Sequence, residues 1–275
     1  MMKSSPKSRQ TGTNWKLPAC LLCREPPAGA VAISVADIKA ARKLYLCLDF
    51  DGTLTPIVSH PAGAWLPAKA HQILTRLSTD ADTIVAILSG RSLDDLRARV
   101  PVKGIVLAGN HGLEIQGRGL RFADSASRRR EGLAQLRSDL EDRLSNISGC
   151  WVEDKGLTLC VHYRQVEENC LQSVHDAVRE ATAPLHDWLL VGSGKCTWDL
   201  RPSSASNKGA AALWIQSQLG LQDALTVAMG DDSTDEDMFR AFPNDLTVHV
   251  GSAATTAARY SVAGPDEALE FLHWL

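Results

Sequence analysis

What the chain lacks narrows it first. None of its apolar runs approaches the ~20 residues needed to cross a bilayer, so a membrane-spanning protein is not expected. Net charge is small, because 29 Lys and Arg against 32 Asp and Glu leave −3 at pH 7. Such a balance argues against a surface built to coat nucleic acid or an anionic membrane. It leaves room for a small anionic ligand, which needs only one local positive pocket. Cysteine is sparse and odd in number, seven scattered over 275 residues. A secreted disulfide framework would be smaller, denser and even-numbered, so a reducing, cytoplasmic setting is expected. The Cys20-Leu-Leu-Cys23 pair has no second pair or His cluster at zinc spacing to complete it. Residues 1–30 lack the uninterrupted apolar segment of a signal peptide and hold no acid before Glu25, so they read as a tail. No internal repeat is evident.

What is present is ordinary globular usage, 44% hydrophobic and 22% charged. A short helix is expected over Ala36–Lys43. Leu44-Tyr45-Leu46-Cys47-Leu48 is a continuous apolar run, the signature of a strand buried on both faces of a parallel sheet. Ala70, Ile73, Leu74 and Leu77 follow at helical spacing, then a second buried strand at Thr83–Leu88. Ser92 is placed to cap a helix from Leu93 to Val100, and a third strand runs from Gly104 to Ala108. This is βαβ winding. A hairpin at Gly117–Gly119, two helices and short strands then intervene. The strands Trp188–Val191 and Cys196–Leu200 are expected to be joined by Gly192-Ser193-Gly194. The winding resumes with a helix from Asn207, a strand at Leu225–Met229, a helix at Asp235–Ala241 and a strand at Thr247–Val250. The fold class is α/β: a doubly wound, Rossmann-like parallel-sheet core with an inserted α+β cap. The expected division is a tail and lead-in helix over 1–40, a core over 41–115 and 202–275, and the cap over 116–201.

Ligands of open α/β sheets sit at the carboxyl ends of the strands. Here those ends carry Asp49, Asp51, Ser89 and Asp231. Asp231, Asp232, Asp235, Glu236 and Asp237 put five acids into seven residues. Such carboxylates repel unless a hard cation with oxygen ligands joins them, and carboxylates with waters and a phosphate suit Mg²⁺. An aspartate beside a phosphate can act as nucleophile, while a second carboxylate two residues on protonates the leaving oxygen and later activates water. The transferring phosphoryl group also needs a hydroxyl (Ser89), backbone N–H groups and a cation (Lys208, at a helix start).

Asp49-Phe50-Asp51-Gly52-Thr53-Leu54, Ser89-Gly90-Arg91, Lys208 and Gly230-Asp231-Asp232-Ser233-Thr234-Asp235 resemble, in order, the four motifs of the haloacid dehalogenase superfamily. The resemblance implies Asp49 as nucleophile, Asp51 as general acid/base, and Ser89 and Lys208 on the phosphate. It also implies Mg²⁺ held by Asp49, Asp51 (through its carbonyl) and Asp231, with Asp235 in support.

Between the second and third motifs the chain resembles the large α/β cap of one subclass. Alternation places Lys195, Thr197, Asp199 and Arg201 opposite Cys196, Trp198 and Leu200, and Thr158, Cys160, His162 and Arg164 opposite Leu159, Val161 and Tyr163. Such a polar face suits a hydroxyl-rich sugar, and equally an ordinary solvated sheet face. Gly109-Asn110-His111-Gly112, Val161-His162-Tyr163-Arg164 and Gly194-Lys195 through Arg201-Pro202 resemble the trehalose-6-phosphate phosphatases, from Leu44 to the C-terminus. Hydrolysis of trehalose 6-phosphate is implied, with Thr53, Gly90, Arg91, Asn110, His111, Gly112, His162, Arg164, Lys195 and Asp199 as substrate-binding residues. The family usually carries Glu where this chain has Asp199. The alternatives are a relative acting on sucrose 6-phosphate or a glycosyl-3-phosphoglycerate, and a catalytically silent sugar-phosphate binder. A monomer is expected, with Trp65 as the tryptophan placed to touch substrate.

Overall fold

The computed structural model describes residues 33–123, 129–203 and 206–275; the expectations for the tail and the Cys20–Cys23 pair fall outside them. After a short helix, Val35–Ala40 (α1), the first strands are Leu44–Leu48 (β1) and Thr83–Leu88 (β2), buried at every position. They lie side by side in parallel, Leu44 opposite Thr83 and Leu48 opposite Ile87. Alternate residues feed two cores. Leu46, Leu48, Val85 and Ile87 pack on the side that holds Ala68–Thr79 (α2), Leu93–Arg99 (α3) and Pro265–Trp274 (α8). Tyr45, Cys47, Ala86 and Leu88 pack against Lys208–Gln218 (α6) and Glu236–Ala241 (α7). Continuous apolar runs are what two covered faces require. The stripe read from the sequence of α2, Ala70, Ile73, Leu74 and Leu77, is the buried one. The Ser92 hydroxyl caps α3 by accepting from Asp95 N at 3.3 Å.

The remaining strands of this sheet are Val106–Gly109 (β3), Glu114–Gly117 (β4), Leu120–Ala123 (β5), Leu225–Gly230 (β10), Leu246–Val250 (β11) and Tyr260–Val262 (β12). Their order is β12-β11-β10-β1-β2-β3-β4-β5, parallel from β12 to β3 and antiparallel beyond. Strand β12 and helix α8 extend the winding past the last strand read from the sequence. The hairpin at Gly117–Gly119, expected within the insertion, instead hydrogen-bonds to β3 and lengthens the large sheet. Phe122 secures it against Trp214 of α6, ring centroids 5.3 Å apart.

A second sheet has the order β6-β7-β9-β8, from Trp151–Asp154, Leu159–His162, Thr197–Pro202 and Leu189–Gly194 respectively, antiparallel throughout. Helices Arg130–Leu144 (α4) and Leu171–Thr182 (α5) cover one face, burying Leu136, Leu140, Val174 and Val178 on Leu159, Val161 and Leu200. Its other face is turned toward the ends of β1 and β10. Gly192-Ser193-Gly194 is not the connection expected between β8 and β9. These residues stay in the strand, and Lys195-Cys196 makes a two-residue turn with Cys196 at φ +63°. A Cβ on Gly194 would lie 2.5 Å from the Thr197 hydroxyl, so the threonine would have to turn away to admit it. Among the described residues, no helix is long and apolar enough to cross a membrane.

Candidate active site

The chain winds outward from β1 to β3, then returns to place β10 on the other side of β1. Such a reversal opens a crevice at the carboxyl ends of the two strands. Asp49 follows β1, its N–H donating to Met229 O at 2.9 Å, and Asp231 follows β10. Between them Gly52 turns the chain at φ +83°, and a Cβ there would fall 2.1 Å from Asp231 Oδ2. Only glycine admits both the backbone angle and the carboxylate.

Lys208 opens α6, whose N-cap Asn207 accepts from Ala210 N at 2.7 Å. Its ammonium is buried and donates to Asp49 Oδ1 at 2.7 Å and Asp235 Oδ1 at 2.8 Å. The other oxygen of Asp235 accepts from the backbone N–H of Asp231 (2.9 Å) and Asp232 (3.1 Å). Asp235 therefore braces the loop with both oxygens engaged. Carboxylate oxygens of Asp49, Asp231 and Asp235 lie within 4.8 Å of one another. Burial pushes Asp49 well above the usual carboxylate range, against the pull of Lys208. It raises Asp231 too, and pushes Asp235 up to about 7. For Lys208 burial works the other way, but Asp235 and Asp49 outweigh it and hold the ammonium charged. Three crowded buried carboxylates outnumber the two ammonium groups that reach them, Lys208 from below and Lys195 from the roof, and an all-oxygen set is the donor chemistry of a hard divalent cation.

Asp51 stands at the rim, both of its oxygens bound by Arg91. Arg91 also donates to Asp95 and to Pro61 O, so it positions Asp51 and is not free for a ligand. Ser89 is buried, its Oγ accepting from Arg91 N at 3.2 Å. A Cβ on Gly90 would fall 2.7 Å from the His111 ring. Asn110, His111 and Gly112 all take positive φ, at 50°, 57° and 97°. His111 is held neutral, burial driving its pKa down to about 3.

The second sheet roofs the crevice. Its open face presents two rungs: Trp151, His162 and Thr197, then Glu153, Cys160 and Asp199, each aligned across β6, β7 and β9. Lys155 sits over the second rung, 3.9 Å from Glu153 and 3.8 Å from Asp199. The Lys195 ammonium reaches across the cleft to the Asp231 carboxylate. The Arg164 guanidinium donates to Lys195 O at 2.6 Å and so pins the turn that carries it. His60, Trp151 and His162 form a three-ring stack with centroids 5.1 and 4.1 Å apart, bridging the large sheet's loop to the roof.

Of the residues singled out in the sequence, Asp49, Asp51, Ser89, Gly90, Arg91, His111, His162, Arg164, Lys195, Asp199, Lys208 and Asp231 line one cavity. Asp235 is fully buried beneath it. Three others serve differently. Asn110 is a strut between the sheets, accepting from the Thr158 hydroxyl at 2.8 Å and donating to Glu114 at 2.9 Å and Lys155 O at 3.2 Å. Gly112 gives α6 its close approach, a Cβ there meeting that of Ala211 at 2.5 Å. Thr53 is wholly buried, its hydroxyl without a hydrogen-bond partner. Lys195 was expected on a strand face; it stands at the turn tip, which is what lets it reach Asp231. Trp65 is not at the cavity but lies 59% exposed over Arg99, 4.9 Å from ring to guanidinium. Sequence reasoning missed His60, Trp151, Glu153 and Lys155 as site residues. Period-2 alternation on β6 could have flagged Trp151 and Glu153; nothing local marks His60 or Lys155.

A family model described as trehalose-phosphatase matches residues 47–266. Among curated relatives, the trehalose-phosphate phosphatase of Mycobacterium avium is 37% identical over 259 residues, covering 90% of this chain and 65% of its own length. That of Mycobacterium tuberculosis is 35% identical over 256 residues, covering 89% and 64%. This chain thus spans less than two thirds of the length of these relatives. In fold, it matches a trehalose-6-phosphate phosphatase related protein at TM-score 0.72 and 26% identity, covering 84% of this chain and 96% of that one. The C-terminal domain of the Candida albicans trehalose-6-phosphate phosphatase aligns at TM-score 0.77 and 24% identity, covering 86% and 93%.

Proposed function

The chain belongs to the trehalose-phosphatase family, and from that premise we propose that it hydrolyses trehalose 6-phosphate to trehalose and inorganic phosphate. The observation that carries the reading is the buried Lys208–Asp49 contact at the floor of a cavity roofed by sugar-compatible polar side chains. Lys208 orients one Asp49 oxygen and leaves the other for the phosphorus. Asp49 attacks, the bond from phosphorus to the sugar oxygen breaks, and Asp51 gives its proton to the departing alkoxide. Asp51 then takes a proton from water, whose oxygen displaces Asp49 from phosphorus and frees phosphate. Ser89, Lys208 and backbone N–H groups neutralise charge on the transferring oxygens. Asp49, Asp231 and the Asp51 carbonyl would hold Mg²⁺, with Asp235 bracing the loop. That ion would supply charge neutralisation between the nucleophile and the phosphate.

The small sheet with α4 and α5 acts as a cap that excludes water and selects the sugar. Glu153, Lys155, His162 and Asp199 offer donors and acceptors to hydroxyls, while Trp151 has both faces covered by histidines and is a wall. The free thiols among the described residues suit a reducing compartment. The test is phosphate release from a panel of trehalose, sucrose and glucose 6-phosphates and glycosyl-3-phosphoglycerates with Mg²⁺. Trehalose 6-phosphate should lead the panel. A different leader overturns the substrate, and no turnover of any member overturns the enzyme.

A further inference from the structure

The roof also brings together a sulfur, a nitrogen and an oxygen donor, from its second rung and from the histidine of its first. Cys160 is 2% exposed and points into the cavity from the middle strand of three. On one side is Glu153, and on the other Asp199, to which the thiol is hydrogen-bonded. One residue pair along, His162 Nε2 meets Glu153 Oε2 at 2.8 Å. Ligand atoms of Glu153, Cys160 and His162 all lie within 4.8 Å of one another. Thiolate, imidazole and carboxylate are three of the donors that a four-coordinate zinc takes, at about 2.0–2.3 Å each. Shifts of roughly an ångström in flexible side chains would draw them to that spacing. The set differs in kind from the oxygen-only cluster at Asp49: a thiolate and an imidazole select zinc or cobalt over magnesium.

We propose that Glu153, Cys160 and His162 form a second metal site, in the roof, for a borderline-soft divalent cation such as Zn²⁺. Binding releases the Cys160 thiol proton to solvent, and the imidazole turns its Nε2 lone pair to the ion, its remaining proton moving to Nδ1. Lys155 swings off Glu153 and keeps Asp199 as partner. Charge favours the exchange. With the thiol protonated, Glu153 and Asp199 outnumber Lys155, and a divalent ion with the thiolate brings the cluster to neutrality. The fourth position faces the cavity, open to water or to a sugar hydroxyl.

The consequence rests on the proposed function. An ion here occupies the sugar-facing side of the cavity, so Zn²⁺ inhibits phosphate release even when Mg²⁺ saturates the aspartates.

The direct test does not depend on turnover. The full chain, saturated with Mg²⁺, is titrated with Co²⁺ while the near-ultraviolet thiolate-to-cobalt charge-transfer band is followed. The wild type should develop the band at one equivalent and lose it on adding Zn²⁺. Cys160→Ser, nearly isosteric, should bind without the band. His162→Gln should keep the band but weaken Co²⁺ affinity at least about tenfold, outer-shell losses alone reaching that size. No band in the wild type overturns the site. So does a band undiminished in Cys160→Ser, which assigns the sulfur to another cysteine, or unchanged affinity in His162→Gln. A cobalt band in a protein that hydrolyses no sugar phosphate would keep the site and sink the proposed function; turnover without the band would do the reverse.

Discussion

Arg91 grips Asp51 by both oxygens, Nε to Oδ2 and Nη2 to Oδ1, each at 2.7 Å. The same guanidinium, 8% exposed at its side chain, reaches Asp95 at 2.7 Å and Pro61 O at 3.0 Å. A planar fork fixes the carboxylate in one plane, which a point-charge ammonium cannot do. Arg91→Lys should therefore lower kcat by roughly 10²-fold, the scale of an ångström-sized misplacement, with KM little changed. Steady-state kinetics on trehalose 6-phosphate checks it, and wild-type kcat in this variant removes Arg91 from the positioning of Asp51.

Lys195 occupies a carboxylate that the proposed Mg²⁺ site would need. The ammonium of the roof's turn sits on Asp231, the carboxylate that joins Asp49 in the acidic cluster. Lys195→Met should tighten Mg²⁺ binding while raising KM for the sugar phosphate, since the same lysine is available to the substrate once the ion takes Asp231. Thermal stabilisation by Mg²⁺ reads the first effect, because a ligand at 100 times its Kd adds about 2.7 kcal/mol. If Mg²⁺ affinity is unchanged or weaker, the competition does not exist.

His111 supplies a pH dependence whose sign is set by burial. Its folded-state pKa is driven down to about 3 by desolvation, well below the ordinary value of about 6.5. The unfolded chain therefore takes up a proton, as pH falls below about 6.5, that the folded protein refuses. Its contribution is complete above that pH and is lost progressively as pH falls toward about 3. Each pH unit in that window costs up to about 1.4 kcal/mol. His111→Asn, which tolerates the left-handed backbone, should flatten the acid side of the stability curve. Denaturant titrations at pH 7, 6, 5 and 4 measure this; parallel curves for the two proteins would contradict it.

The His60–Trp151–His162 stack joins the two sheets. Aromatic pairs contribute about 0.5–1.5 kcal/mol beyond buried area. Trp151→Leu should loosen the roof, raising KM roughly three- to tenfold on that energy, and speed hydrogen exchange in the loop around His60. Unaltered KM together with unaltered exchange would show the stack to be incidental.

The chemistry of the strand ends and the faces of the strands were legible in the sequence because both are local. An apolar run stopped by Asp49, a glycine at 52 and the alternation on β7 and β9 need only neighbouring residues to be read. What the tertiary structure alone decided is which groups meet. Lys208 and Asp49 stand 159 residues apart in sequence, and their contact depends on β10 docking beside β1. Asp235 became a brace and Asn110 a strut because packing delivered partners no spacing announces. Glu153, Cys160 and Asp199 form one rung only through the register of three antiparallel strands, where a slip of one residue would turn each away from the cavity. Composition and periodicity specify what each segment can bury; strand order and register determine which charges share a site.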